Sequence, residues 1–296
     1  MTDKKQGEVS SLNTEDFPAS GRLPATPQTL SPSFTPAYAD SDFLLRDQLR
    51  PVRFQLELLK PEILQQEQGI ESTVVVFGST RIPEPTEAQE KRRLAEQAAT
   101  NNPEDEALAK AAQIATNLEL KSRYYDLARE FGRLVTEHTR KNQADCPVIV
   151  TGSGGGIMEA ANRGAHEAGG KSIGLNIILP HEQYPNRYVT PELCFQFQYF
   201  ALRKLHFLLR AIALVVFPGG YGTLDELFET LTLIQTKKMK KLPVLLFGRE
   251  YWNRIIDFEA LVEEGSIDQT ELELFQFVDS ADEAWQIILD FYDGLR

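Results

Sequence analysis

Apolar residues along this chain fall into short unbroken runs separated by longer amphipathic stretches. "STVVVF" (72–77), "CPVIV" (146–150), "KSIGLNIILP" (171–180), "IALVVF" (212–217) and "LPVLLF" (242–247) have the length and β-branched content of strands buried on both faces. Between them the apolar positions recur at helical spacing, most clearly in "SRYYDLAREFGRLVTEHTRK" (122–141), "IMEAANRGAHEAG" (157–169), "FQYFALRKLHFLLRA" (197–211) and "TLDELFETLTLIQTKKM" (223–239). "REYWNRIIDFEALVEEG" and "SADEAWQIILDFYD" predict two further helices near the C-terminal end. Buried-type strands alternating with helices predict an α/β fold: a doubly wound, Rossmann-like parallel sheet with helices on both faces.

The pattern weakens toward the N-terminus. Residues 1–40 are rich in Ser, Thr and Pro and show no period, so a flexible arm is expected there. Residues 41–71 form an amphipathic helical extension, in which Pro51 and Pro61 are expected to break the segment into short helices. The catalytic-type domain then occupies 72–296, with 86–121 as a helical insertion broken at Asn-Asn-Pro.

Composition narrows the class of function. The formal net charge of −12 argues against a general nucleic-acid or membrane binder, since polyanions are repelled. No apolar run is long enough to span a bilayer, and the first residues lack the apolar core of a signal peptide. Two cysteines, Cys146 and Cys194, form no disulfide framework, so a cytoplasmic location is expected. The four histidines, at 138, 166, 181 and 206, have no metal-binding spacing, and neither cysteine has a histidine nearby in sequence. Neither a metal nor a cysteine nucleophile is expected.

Three strand ends carry small residues: Gly78-Ser79-Thr80, Gly152-Ser153-Gly154-Gly155-Gly156 and Gly219-Gly220-Tyr221-Gly222-Thr223. Ligands of open parallel sheets bind beyond the carboxyl ends of the strands, and a helix start offers unpaired N–H groups to a phosphate. Gly78 taken singly is equally explained by a tight βα turn; the 152–156 cluster is less so, and three such corners on one sheet edge point to a nucleotide. Counted from Gly152, the dinucleotide fingerprint fails at Ile157, and the P-loop pattern is absent. A dehydrogenase and an ATPase are therefore disfavoured.

Charged residues near these corners have two readings each. Thr223-Leu-Asp-Glu226 fits a capping box, in which Glu226 serves only its own helix. Facing the crevice, the same carboxylate could stabilise an oxocarbenium ion or position a water. Tyr199, Arg203, His206 and Arg210 lie along one helical stripe, either a solvated face or the border of the crevice, with Arg203 a candidate phosphate or base contact. Glu159 is either a dipole-compensating acid or a ribose ligand, and Arg81 either a phosphate contact or exposed.

"PGGYGTLDE" (218–226), with "LRK" (202–204) upstream, resembles the PGGxGTxxE signature and Arg-Lys position of the LOG ("Lonely Guy") family. "TGSGGGIMEAANRGA" and "VFGST" are similar to the family's glycine-rich turn and first strand, and the resemblance covers about residues 72–265. It implies cleavage of the N-glycosidic bond of a cytokinin riboside 5′-monophosphate, AMP or another nucleotide, without a cofactor. Glu226 and Arg203 would be the catalytic pair. Gly219, Gly220, Gly222 and Thr223 would cradle the phosphate, with Gly78, Ser79, Arg81, Gly154, Gly155, Glu159 and Lys204 as further substrate contacts. A homodimer or higher homo-oligomer is implied as well. The N-terminal extension, the 86–121 insertion, and Ser153 and Glu159 where plant-type members tend to carry glycine depart from the family pattern and leave base specificity open. A general nucleoside-monophosphate glycosidase fits as well as a cytokinin-activating enzyme. A non-catalytic nucleotide-binding regulatory protein would use the same glycines.

Overall fold

The computed structural model describes residues 24–142, 147–180 and 184–294. Cys146, His181 and residues 1–23 of the expected arm lie outside them.

By packing, the chain divides between Arg53 and Phe54. The N-terminal unit holds a 3-10 turn, Pro32–Phe34, the short helix α1 (Ser41–Leu44) and the start of α2 (Arg50–Glu67). The N-cap Asp40 accepts a hydrogen bond from Phe43 N at 2.9 Å, and Arg53 Nη1 donates to the carbonyls of Leu44 and Arg46 at 2.7 Å each.

The larger unit is built on a sheet of seven parallel strands: β1 (Thr73–Phe77), β2 (Val148–Thr151), β3 (Ser172–Ile177), β4 (Cys194–Phe197), β5 (Ala211–Val216), β6 (Val244–Phe247) and β7 (Gln276–Val278). Their order is β4-β3-β2-β1-β5-β6-β7. The helices between them are α3 (Pro85–Asn101), α4 (Glu106–Lys121), α5 (Arg123–Asn142), α6 (Ile157–Glu167), α7 (Phe200–Leu209), α8 (Tyr221–Gln235), α9 (Arg249–Ile255), α10 (Phe258–Glu263) and α11 (Ala281–Asp293). Alternate side chains of each strand serve opposite faces. Val74, Val76, Val215 and Phe217 join α5, α6 and α11 in one core, and Val75, Phe77, Leu214 and Val216 join α7–α10 in the other. The doubly wound α/β sheet expected from the apolar runs is the fold observed.

This order fixes where a ligand can enter. From β1 the chain winds outward through β2, β3 and β4, then returns to place β5 on the other side of β1. The loops after β1 and β5 therefore leave the sheet toward opposite faces and open a crevice between them.

Two strands escaped the apolar-run reading. β4 and β7 are edge strands of four and three residues, and β4 has outward positions alternating with buried Phe195 and Phe197. An edge strand has no need of the continuous hydrophobicity that marks central strands. The segment from Phe197 to Tyr199, expected in a helix, instead ends β4 and leads into α7. Residues 249–265 split into α9 and α10, where the Asp257 carboxylate accepts from Ala260 N at 3.0 Å and starts a new helix.

Pro61 does not break α2, which runs on through it. A proline inside a helix removes the N–H that would bond the carbonyl four residues back. That carbonyl, of Glu57, is held instead by His206 Nε2 of α7 at 3.2 Å. In the 86–121 stretch α3 and α4 pack on each other, α3 is followed by its C-cap Asn102, and Asp105 caps α4 through Ala107 N (2.9 Å) and Leu108 N (3.2 Å). No helix among the described residues is long and apolar enough to cross a membrane.

Candidate functional site

The three glycine corners meet at the β1/β5 crevice. Ser79 N donates to Pro218 O at 3.0 Å, and Ile157 N donates to Ser79 O at 3.1 Å, so the loop after β1 is stitched to both neighbours. The glycines in these loops have different physical reasons. A Cβ on Gly78 would run into the Ile157 side chain, and one on Gly152 would lie 2.6 Å from an Arg203 Nη atom and 2.9 Å from Met158 Sδ. Gly156 has φ +63° and ψ −129°, a conformation side chains avoid, with Ser79 O and Thr80 pressed against it. On Gly155 a Cβ would make only ordinary contacts, 3.8 Å from Thr80 O and 3.9 Å from Glu159 Oε2. Ser153 is buried at φ +57°, a backbone state glycine favours, with its N–H on Thr151 Oγ1 at 2.9 Å. Asn186 pins this loop, donating Nδ2 to Ser153 O (3.2 Å) and Gly154 O (3.0 Å).

After β5 the situation changes. Gly219 is packed against Thr223, and its carbonyl accepts from Tyr251 Oη at 2.5 Å. Gly220 and Gly222 face open space, with nothing within 4 Å of a Cβ on either. α8 begins at Tyr221 with Gly220 as its N-cap, and no side chain caps it. Its first-turn amides are thus left without a side-chain acceptor. The capping box expected at Thr223–Glu226 does not form, because the helix starts two residues earlier. Thr223 is buried inside the first turn, and Glu226 lies one turn past Gly222 on the same helix face. Glu226 is therefore not occupied with its own helix start.

Glu226 is only 6% exposed. Burial pushes its carboxyl from an ordinary 4.5 up to about 7, against the pull of Lys204 and with Glu229 adding to the rise. Lys204 Nζ stands 3.9 Å from Glu226 Oε2 but is committed to Asp225 Oδ2 at 2.8 Å and Glu229 Oε2 at 3.0 Å. Burial by itself would lower the Lys204 ammonium; these carboxylates hold it above its usual range. Arg203, mostly buried, is lowered by desolvation and sustained by the Glu226 charge. It donates Nε to Leu175 O at 2.7 Å and lies over the Phe207 ring at 5.0 Å. The crevice thus holds a buried acid whose charge is poised near neutrality, next to two cations.

Of the stripe Tyr199–Arg203–His206–Arg210, Arg203 reaches the sheet edge, while the others turn to α2. Phe54 meets the Tyr199 ring edge-on at 4.2 Å, His206 Nε2 donates to Glu57 O at 3.2 Å, and Glu62 pairs with Arg210. The stripe is neither a solvated face nor a uniform border of the crevice. Glu159, in the first turn of α6, accepts from Tyr125 Oη at 3.3 Å. Arg81 is exposed, its N–H bonded to Ser79 Oγ at 3.0 Å. Sequence reasoning passed over Tyr251, Asn186, Asp225 and Glu229. Asp225 and Glu229 sit within one turn of Glu226, so helical spacing alone could have found them. Tyr251 and Asn186 reach their loops only through the tertiary fold.

The chain is 30% identical over 167 residues to the cytokinin riboside 5′-monophosphate phosphoribohydrolase LOG3 of Arabidopsis thaliana, covering 55% of this chain and 73% of that protein. It belongs to the LOG family. LOG1 of Arabidopsis thaliana is also 30% identical, over 175 residues, 58% of this chain and 78% of the relative. A family model described as "Possible lysine decarboxylase" matches residues 158–288. Among solved structures, a molybdenum cofactor carrier protein from Chlamydomonas reinhardtii aligns at 19% identity and a TM-score of 0.43, over 76% of this chain and 99% of that one. The residues matched by that family model include Glu159, Arg203, Lys204 and Glu226.

Proposed function

We propose that the chain hydrolyses the N-glycosidic bond of a nucleoside 5′-monophosphate, giving free base and ribose 5-phosphate. The observation that carries this reading is the pairing of an uncapped helix start with a buried acid on the same face. The amides at Tyr221–Thr223 and the bare Gly220 and Gly222 receive the phosphate. Glu226 lies about 6 Å further along the helix axis, a separation that ribose 5-phosphate bridges. As the C1′–N bond breaks, its electron pair leaves with the base and positive charge develops at C1′, where the Glu226 carboxylate stabilises it. Water adds its oxygen to C1′; one of its protons goes to the departing base and the other remains on the new hydroxyl. Arg203 lies beside Glu226 and adds positive charge toward the substrate. Gly78, Ser79, Arg81, Gly154, Gly155 and Glu159 form the opposite wall and, with Lys204, complete the substrate contacts. The homodimer or larger homo-oligomer belongs to the same proposal and is read by light scattering.

Decarboxylation of lysine is not supported by this geometry. The lysine in the site, Lys204, is held protonated by acids at 2.8 and 3.0 Å and is a poor imine-forming amine.

Incubation with AMP and with isopentenyladenosine monophosphate, followed by assay for ribose 5-phosphate, tests the reading and reports base preference. Glu226→Gln is expected to lower kcat by about 10²- to 10³-fold while still binding the monophosphate. Turnover by that variant at the wild-type rate overturns the role of Glu226. Tight binding without release of ribose 5-phosphate by the wild type favours a regulatory protein instead.

A further inference from the structure

α7 carries Arg203 and Lys204, yet it has no cap of its own. Its N-cap residue Tyr199 makes no side-chain cap bond. The acceptor comes from α2, some 140 residues upstream: Glu57 Oε1 takes Gln198 N at 2.8 Å and Oε2 takes Tyr199 N at 3.2 Å. A carboxylate here also complements the positive end of the α7 dipole. The same stretch of α2 grips α7 at two more levels. The Glu57 carbonyl, freed by Pro61, takes His206 Nε2 at 3.2 Å, and Glu62 pairs with Arg210. Arg210 Nε then closes the far end on Ile70 O at 3.2 Å. One helix of the N-terminal extension thus holds the start, middle and end of the helix that presents Arg203.

We propose that Glu57 is a positioning residue for the site: by binding the Gln198 and Tyr199 amides it sets where α7 begins, and so where the Arg203 guanidinium stands. The register matters because Arg203 has little freedom. Its Nε is tied to Leu175 O at 2.7 Å, and its Nη atom fills the space a Cβ on Gly152 would need. A slip at the start of α7 moves Arg203 off this seat, and small misplacements of a site group are costly in rate. Pro61 belongs to the same device, since its missing N–H leaves the Glu57 carbonyl for α7. The inference rests on the hydrolase reading for its kinetic consequence, but its structural content does not.

The test compares the full-length wild type with Glu57→Ala, Glu57→Gln, Arg203→Ala and the double variant Glu57→Ala/Arg203→Ala. Glu57→Ala is expected to lower kcat for AMP hydrolysis about tenfold, with KM changed less than kcat. Glu57→Gln keeps an acceptor for one amide and recovers most of that loss. The double variant is expected to be no slower than Arg203→Ala alone, because Glu57 acts through Arg203. Additive losses, or a loss equal in Glu57→Ala and Glu57→Gln, overturn the proposal. Amide hydrogen exchange over residues 198–204 gives a readout independent of turnover and is expected to quicken in Glu57→Ala. If the wild type releases no ribose 5-phosphate, the hydrolase reading fails by itself. Exchange then decides the positioning role: unchanged protection overturns it and lost protection upholds it.

Discussion

The loops after β2 and β5 look alike in sequence, each a strand end followed by glycines and a helix, and the folded chain uses them in opposite ways. In the loop after β2, the space left by Gly152 and Gly156 is filled by the protein. Arg203 and Met158 occupy the hollow at Gly152, Ser79 and Thr80 press on Gly156, and Asn186 takes the carbonyls of Ser153 and Gly154. In the loop after β5, Gly219 alone is packed, while Gly220 and Gly222 border open space and the first amides of α8 have no side-chain acceptor. The absence of a side chain therefore has two meanings. Where another part of the chain sits in the gap, glycine is a packing residue; where nothing does, the gap is available to a ligand.

The largest effect that would separate the loops is on folding. Gly156→Ala forces a side chain into a positive-φ, crowded position and is expected to cost roughly 3 kcal/mol, lowering the thermal midpoint by about 6–12 °C. A midpoint unchanged from wild type breaks the distinction at its packed end.

Next in size is the pH dependence contributed by Glu226, the acid one turn beyond the open loop. The native carboxyl keeps its proton up to about pH 7, whereas the unfolded one releases it near 4.5. Between these values the native state binds more protons, so this group's contribution to stability falls as pH rises through that window. The penalty above pH 7 is up to about 3 kcal/mol. Glu226→Gln removes it, so chemical denaturation at pH 5 and pH 8 is expected to show a smaller decline for the variant. A variant that gains nothing at pH 8 shows that Lys204 and Arg203 already offset the burial. In activity the sign reverses: kcat/KM for AMP is expected to rise through about pH 7 as the carboxylate forms.

Smallest in energy, and most telling about the open loop, is Gly222→Ala. A methyl group there touches nothing, so the thermal midpoint is expected to hold or rise slightly, as alanine favours the helix. The apparent affinity for a nucleoside monophosphate is expected to fall about tenfold, roughly 1.4 kcal/mol, read by calorimetric titration. Unchanged affinity places the phosphate elsewhere.

Much of the architecture was legible because central parallel strands must be apolar on both faces, and Val74–Phe77, Ile149–Val150 and Ala213–Phe217 could hardly be anything else. The edge strands β4 and β7 were not legible, since Cys194–Phe197 and Gln276–Val278 are short and only partly buried. In the candidate site, the PGGYGT run marked its own loop. Of the two readings of Thr223–Glu226, the capping box fails because that pattern is local, while α8 starts two residues earlier, at Tyr221.

The order of residues by itself determined the alternation of strand and helix and the sheet edge on which the glycines cluster, because periodicity and backbone freedom are properties of neighbours in the chain. Which glycines the protein fills and which it leaves bare, how deeply Glu226 is withdrawn from water, and that Glu57 holds the helix bearing Arg203 were decided only by the tertiary structure. Those outcomes depend on what occupies a volume and on how far a charge lies from water, and both are set by segments up to about 140 residues apart in the chain.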